Sequence, residues 1–219
     1  MNISLKNKIA VFDLDGTLID VKERYFRIFH NFISLNGLEY NYFIENYLED
    51  RISYKSDSEI LKIAFGLDNS RIIKFKEYKL NQIEDIQYLI FDVVKPSVPE
   101  LLKLLKKQGY RIELLTARRA YNNLISQLET LKLLQYFDNI IMWPKNLIEK
   151  NDYIKLLDNG KNEILLFGDS KDDYLATKNT SSAFYLVADT ILDQSFTSQK
   201  ALSIDEILVE FESGNSFNL

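Results

Sequence analysis

The chain has 219 residues, 46% of them apolar, and a net charge of −5. That length suits one large domain or a core with a smaller insert, and the apolar share excludes a disordered chain. The acidic balance argues against nonspecific nucleic-acid binding as the main task, and the lack of cysteine excludes disulfides and thiolate catalysis while fitting a reducing compartment.

Residues 1–8 are polar and carry no signal-peptide stretch, and no apolar run approaches the roughly 20 residues of a membrane helix. A soluble cytoplasmic protein is expected, with no membrane and no nucleic acid among its partners. Residues 9–12 then read as a buried strand ending at Asp13 and Asp15, followed by Gly16 and Thr17. Asp is a poor strand former and costly to desolvate. In an open parallel sheet, ligands bind beyond the carboxyl ends of the strands, which is where these two side chains would stand. Turn and cap roles account for Asp15 and Thr17 through the Asp-Gly signal, but not for Asp13.

The stretch 19–94, roughly 75 residues, is far longer than a normal βα connection. Its helical patterns cover 23–35, 40–50, 57–65 and 72–91, many of them aromatic-rich, and nothing in it alternates convincingly as a strand. It reads as an all-α insert that returns at Lys95-Pro-Ser-Val-Pro99, stiffened by two prolines. The division expected is a core of residues 1–18 and 95–219 with a cap of 19–94. His30, the only histidine, lies in an aromatic helical stretch and suits packing there; Arg24, Tyr25, Arg27 and Arg51 are the insert's candidates for reading a substrate.

Further β-rich runs follow at 111–115, 139–143, 163–167 and 183–187, separated by helical patterns at 100–108, 121–134, 151–157 and 171–179. Such alternation implies βαβ units. The fold class expected is α/β: a Rossmann-like three-layer core with a mostly parallel five-stranded sheet. At the end of the second run stand Thr116, Arg118 and Arg119; the hydroxyl suits a phosphoryl oxygen, and the next helix start favours an anion. Either arginine suits a phosphate or a solvated helix start equally well. Lys150 opens a helix, where its charge opposes the dipole, and makes sense facing negative charge across a site.

The run Gly168-Asp169-Ser170-Lys171-Asp172-Asp173 repeats the logic of the first strand end. If these strands are neighbours, Asp13, Asp15, Asp169 and one of Asp172 or Asp173 converge. Two such charges at about 4 Å repel by roughly 4 kcal/mol at an effective dielectric of 20, so the cluster needs a cation or some of its members must protonate. Oxygen ligands with no His or Cys favour Mg²⁺.

Asp-Leu-Asp-Gly-Thr at 13–17, Thr116 after an apolar strand, a Lys, then Gly-Asp-Ser-Lys-Asp-Asp at 168–173 resembles the haloacid dehalogenase superfamily over the full chain. The insert is similar to the helical cap of its phosphoglycolate phosphatase-like branch. The resemblance implies that Asp13 is a nucleophile forming an aspartyl phosphate, and that Asp15 serves as acid and base while its backbone carbonyl touches Mg²⁺. It implies that Thr116 and a lysine hold the phosphoryl group and that Asp13 and Asp169 ligate the metal. Lys150 is favoured for that lysine over Lys145; Asp173 matches the last Asp of the family pattern, and Asp172 reads as a helix-start residue.

A Mg²⁺-dependent phosphatase of a small phosphomonoester follows. A phosphomutase of the β-phosphoglucomutase type is the first alternative, against which Tyr25 stands about where those enzymes carry a His. A catalytically idle binding module is the second.

Overall fold

The computed structural model describes residues 7–38, 47, 56–143, 149–188 and 194–214. In chain order its strands are β1 (Asn7–Phe12), β2 (Ile19–Asp20), β3 (Val93–Val94), β4 (Tyr110–Thr116), β5 (Asn139–Met142), β6 (Asn162–Gly168) and β7 (Ala183–Leu186). The helices are α1 (Lys22–Leu35), α2 (Asp57–Phe65), α3 (Asn69–Gln82), α4 (Ile86–Leu89), α5 (Val98–Lys107), α6 (Tyr121–Thr130), α7 (Lys150–Leu157), α8 (Lys171–Ala176) and α9 (Ile204–Glu212).

Five strands form one parallel sheet in the order β5-β4-β1-β6-β7. Both faces are buried because successive side chains alternate between them. Ala10 and Phe12 of β1 join Ile112, Leu114 and Phe167 under α5, α6 and α9, while Ile9 and Val11 join Ile164 and Leu166 under α7 and α8. Phe12 stacks on Phe167 with ring centroids 4.3 Å apart. Burying a side chain of this kind contributes about 1.5–3 kcal/mol, so β1 is anchored from both faces and both edges. The result is the expected three-layer α/β core.

The register fixes the site. Phe12 lies opposite Leu114 on one side and Phe167 on the other. Asp13 is therefore one residue beyond that level, and Thr116 and Asp169 are two beyond it on the flanking strands.

The insert is helical and has its own apolar cluster, with Phe29, Phe32, Ile33, Ile60, Leu61, Ile72 and Phe75 at its centre. Three details differ from expectation. The helix expected over 72–91 breaks after Gln82, because Asp85 starts a new turn by accepting from the Gln87 amide at 3.0 Å. A short antiparallel ribbon pairs Ile19 with Val94 and Asp20 with Val93, so the chain leaves and re-enters the core side by side. The helix expected to run to 134 ends at Thr130, followed by Lys132 at a φ of 57° and a single 3₁₀ turn, Leu134–Tyr136. Apart from Tyr47, which is helical and buried, the pattern at 40–50 lies outside the described residues. Among the described residues no helix is long and apolar enough to cross a membrane.

Candidate active site

Asp13 leaves β1 with its amide donating to the Phe167 carbonyl at 3.0 Å, which carries the sheet pairing one residue past the strand. The Asp-Gly turn follows at once: Gly16 takes a φ of 82°, and its amide donates to the Ile19 carbonyl at 2.9 Å. Lys95, on the return segment, donates to the Gly16 carbonyl and, at 2.9 Å, to that of Ala188.

Three buried carboxylates, Asp13, Asp169 and Asp173, each present an oxygen within 4.8 Å of the others. Lys150, buried at the first position of α7, donates from Nζ to Asp13 Oδ1 at 2.6 Å and to Asp173 Oδ1 at 2.5 Å. Thr17 Oγ1 donates to Asp169 Oδ1 at 3.1 Å. Among the described residues one ammonium faces these three buried carboxylates, which leaves surplus negative charge. Burial, with Asp173 adding to it, pushes the Asp13 carboxyl up to about 7 against the pull of Lys150. Burial also opposes the ammonium charge of Lys150, but Asp13 and Asp173 outweigh it and hold its pKa well above the ordinary lysine range. All-oxygen donors with excess negative charge fit a hard divalent cation.

The helix start after β6 positions the third carboxylate. Ser170 caps α8 by accepting from the Asp173 amide at 3.3 Å, and Asp173 Oδ2 accepts from Ser170 Oγ at 2.5 Å and from its amide at 3.1 Å. Gly168 is needed beside it: a Cβ there would lie 2.3 Å from the Asp173 Cβ. Asp172 is exposed, consistent with a helix-start residue.

Asp15 is held by two arginines. Its Oδ2 accepts from Arg118 Nε at 2.9 Å, and its Oδ1 accepts from Arg118 Nη2 at 2.6 Å and Arg24 Nη2 at 2.7 Å. Burial alone would raise its pKa, but the guanidiniums of Arg118 and Arg24 outweigh that and hold it well below the usual carboxylate range. Asp92 is a partner that sequence reasoning missed. It pairs with Arg24 Nε at 3.3 Å and Arg118 Nη2 at 3.5 Å, and accepts from Gln127 Nε2 at 2.7 Å. Its burial pushes its own carboxyl up to about 6. Nothing local in the sequence marks Asp92 or Gln127: Asp92 is a lone acid between Phe91 and Val93, and Gln127 is one of several polar residues on its helix.

The remaining candidates fall as follows. Thr116 is buried at the end of β4, its Oγ1 accepting from the Arg118 amide at 3.4 Å. Arg118 is neither a solvated helix start nor free for phosphate: it is buried in the ion pairs above, with Nη1 lacking a hydrogen-bond partner among the described residues. Arg119 is exposed and paired with Glu84 of the insert at 3.2 Å. Arg24, far from facing an open cleft, is fully buried. Tyr25 is half-buried with the Lys79 ammonium 4.3 Å from its ring centroid. Arg27 pairs with Glu23 at 2.7 Å and stacks over Phe91. His30 packs against Phe26, with ring centroids 5.9 Å apart. Lys145 and Arg51 lie outside the described residues.

A family model described as haloacid dehalogenase-like hydrolase matches residues 10–187. No curated protein matches the sequence. Solved structures with the same fold include a haloacid dehalogenase-like family hydrolase from Streptococcus pneumoniae, at 18% identity and a TM-score of 0.67, covering 95% of this chain and 99% of that one. A proposed phosphoglycolate phosphatase from Lactobacillus delbrueckii is similar at 15% identity and a TM-score of 0.66, covering 94% and 98%. A proposed β-phosphoglucomutase from Thermotoga maritima is similar at 21% identity and a TM-score of 0.65, covering 94% and 99%.

Proposed function

Because the chain belongs to the haloacid dehalogenase-like hydrolases, we propose that it is a Mg²⁺-dependent phosphatase cleaving a small phosphomonoester through an aspartyl phosphate. Residues 1–18 and 95–219 form its core and 19–94 its cap. The observation that carries this reading is the buried Asp13 carboxylate, at the end of the central strand, held at 2.6 Å by Lys150 and grouped with Asp169 and Asp173.

In the first step an Asp13 oxygen attacks phosphorus, the bond to the leaving alcohol breaks, and the alkoxide takes a proton from Asp15. Asp15 can hold that proton only when the negative charge of the bound phosphoryl group offsets its two guanidiniums. In the second step water gives a proton to Asp15 and its oxygen attacks phosphorus. The bond to Asp13 breaks, inorganic phosphate leaves and the Asp13 carboxylate returns. Lys150 and Thr116 hold the phosphoryl oxygens and stabilise the charge that develops on them. Asp13, Asp169 and the Asp15 backbone carbonyl would hold Mg²⁺, with Asp173 completing the acidic group; the ion would neutralise phosphoryl charge.

The test is phosphate release with Mg²⁺ over phosphoglycolate, sugar phosphates, nucleoside monophosphates and p-nitrophenyl phosphate, for the native chain and for Asp13→Asn. Turnover that Asp13→Asn abolishes is expected. Release from no substrate, or full activity in Asp13→Asn, overturns the reading.

A further inference from the structure

Asp15 is gripped from two parts of the chain, and among the described residues the grip leaves one place open. An ionised carboxylate offers about four lone-pair sites. Oδ1 takes Nη2 of Arg24 and Nη2 of Arg118, and Oδ2 takes Nε of Arg118. The last acceptor site is on Oδ2. Arg118 follows the end of β4, whereas Arg24 belongs to α1, the first helix of the insert. Asp92, just before the return ribbon, pairs with both arginines, and Arg24 Nη1 also donates to the Ile83 carbonyl at 3.1 Å. The side-on hold by Arg118 fixes the plane of the carboxylate, as a bidentate pair does. Arg24 adds its contact only while α1 lies against the core.

We infer that Arg24 and Arg118 are positioning residues for the hydrolysis of the aspartyl phosphate, holding Asp15 with Oδ2 turned to take a proton from water. The inference rests on the phosphatase reading above. In that step the water proton moves to Oδ2, the water oxygen bonds to phosphorus, the P–O bond to Asp13 breaks, and Asp15 later releases its proton to solvent. Forming the aspartyl phosphate from p-nitrophenyl phosphate needs no such help, because p-nitrophenolate leaves without a proton. The two arginines therefore act on the second step, and a docked insert is a requirement of that step.

Rapid-quench kinetics with p-nitrophenyl phosphate and Mg²⁺ separate the steps. Arg24→Met and Arg118→Lys should each give a burst of about one equivalent of p-nitrophenolate with accumulation of phosphoenzyme. Steady turnover should then slow on the order of a hundredfold, the low end of what a positioned base contributes, and KM should fall with kcat. Lysine cannot reproduce a side-on guanidinium hold, so Arg118→Lys should not rescue. Slowed turnover with neither burst nor phosphoenzyme overturns the inference and leaves the phosphatase reading standing, as does unchanged turnover in both variants. A native chain that releases no phosphate from any phosphomonoester overturns both. If Arg118→Lys fails to fold by circular dichroism, Arg24→Met, which keeps a long unbranched side chain, reads the same burst.

Discussion

Replacing Lys150 by Met removes the ammonium that holds Asp13 and Asp173 and keeps most of the side-chain volume. Nζ sits 2.6 Å from Asp13 and 2.5 Å from Asp173, and the carboxylate oxygens of Asp13, Asp169 and Asp173 lie within 4.8 Å of one another. At that separation, each ionised pair repels by about 3.5 kcal/mol at an effective dielectric of 20. Breaking a buried pair from one side usually costs about 3–5 kcal/mol, which here is the scale of one such repulsion. For a chain of this size that lowers the melting temperature by roughly 6–20 °C. Thermal melts at neutral pH in EDTA should show this loss, and Mg²⁺ should recover more stability in the variant than in the native chain, since the ion then supplies the missing positive charge. A variant melting within about 2 °C of the native chain in EDTA would refute the charge balance ascribed to Lys150.

Other outcomes follow from neighbouring groups. Gly168→Ala places a Cβ 2.3 Å from the Asp173 Cβ and 2.4 Å from its Cγ; the overpacking should cost about 1–3 kcal/mol in denaturant unfolding and weaken Mg²⁺ binding by titration calorimetry. Asp13, raised to about 7 from 3.8 by burial foremost, contributes stability that is full below about pH 4 and lost as pH rises toward 7. In EDTA, Asp13→Asn should therefore gain on the native chain across that window, and parallel melting curves would sink the assignment. Glu84 of the insert accepts from the amides of Arg119 at 2.8 Å and Ala120 at 2.7 Å, ahead of α6. Glu84→Ala should cost about 1 kcal/mol, as lost caps do, and speed hydrogen exchange at those two amides; unchanged exchange would count against it.

The strand ends were legible because apolar runs stop abruptly at Asp13 and Gly168-Asp169, where only ligand chemistry explains the charge. Lys150 was legible from its awkward place at a helix start. The Arg24, Asp92, Arg118 and Gln127 network was not, because a buried ion pair between residues far apart in sequence leaves no local pattern. Its members look like ordinary surface polar residues until the insert is folded back. The ribbon of Ile19–Asp20 with Val93–Val94 is too short to alternate. By contrast, α9 carried a readable signal, Ser203 three residues before Glu206, whose side chain accepts from the Ser203 amide at 2.8 Å. That capping box precedes an amphipathic run, but lies beyond the last strand, where the alternating βα pattern no longer directs attention.

The central place of β1 also sets an order of events during synthesis. Its edges are filled by Tyr110–Thr116 and Asn162–Gly168, and non-local pairing of this kind folds slowly. A nascent chain carrying Asp13 must hold an apolar strand unpaired until most of the protein has left the ribosome, while the insert, with its own apolar cluster, is free to condense first. Truncations ending before residue 162 should keep insert helices but lack Asp169 and Asp173 of the acidic cluster, and exposed β1 makes them prone to aggregate.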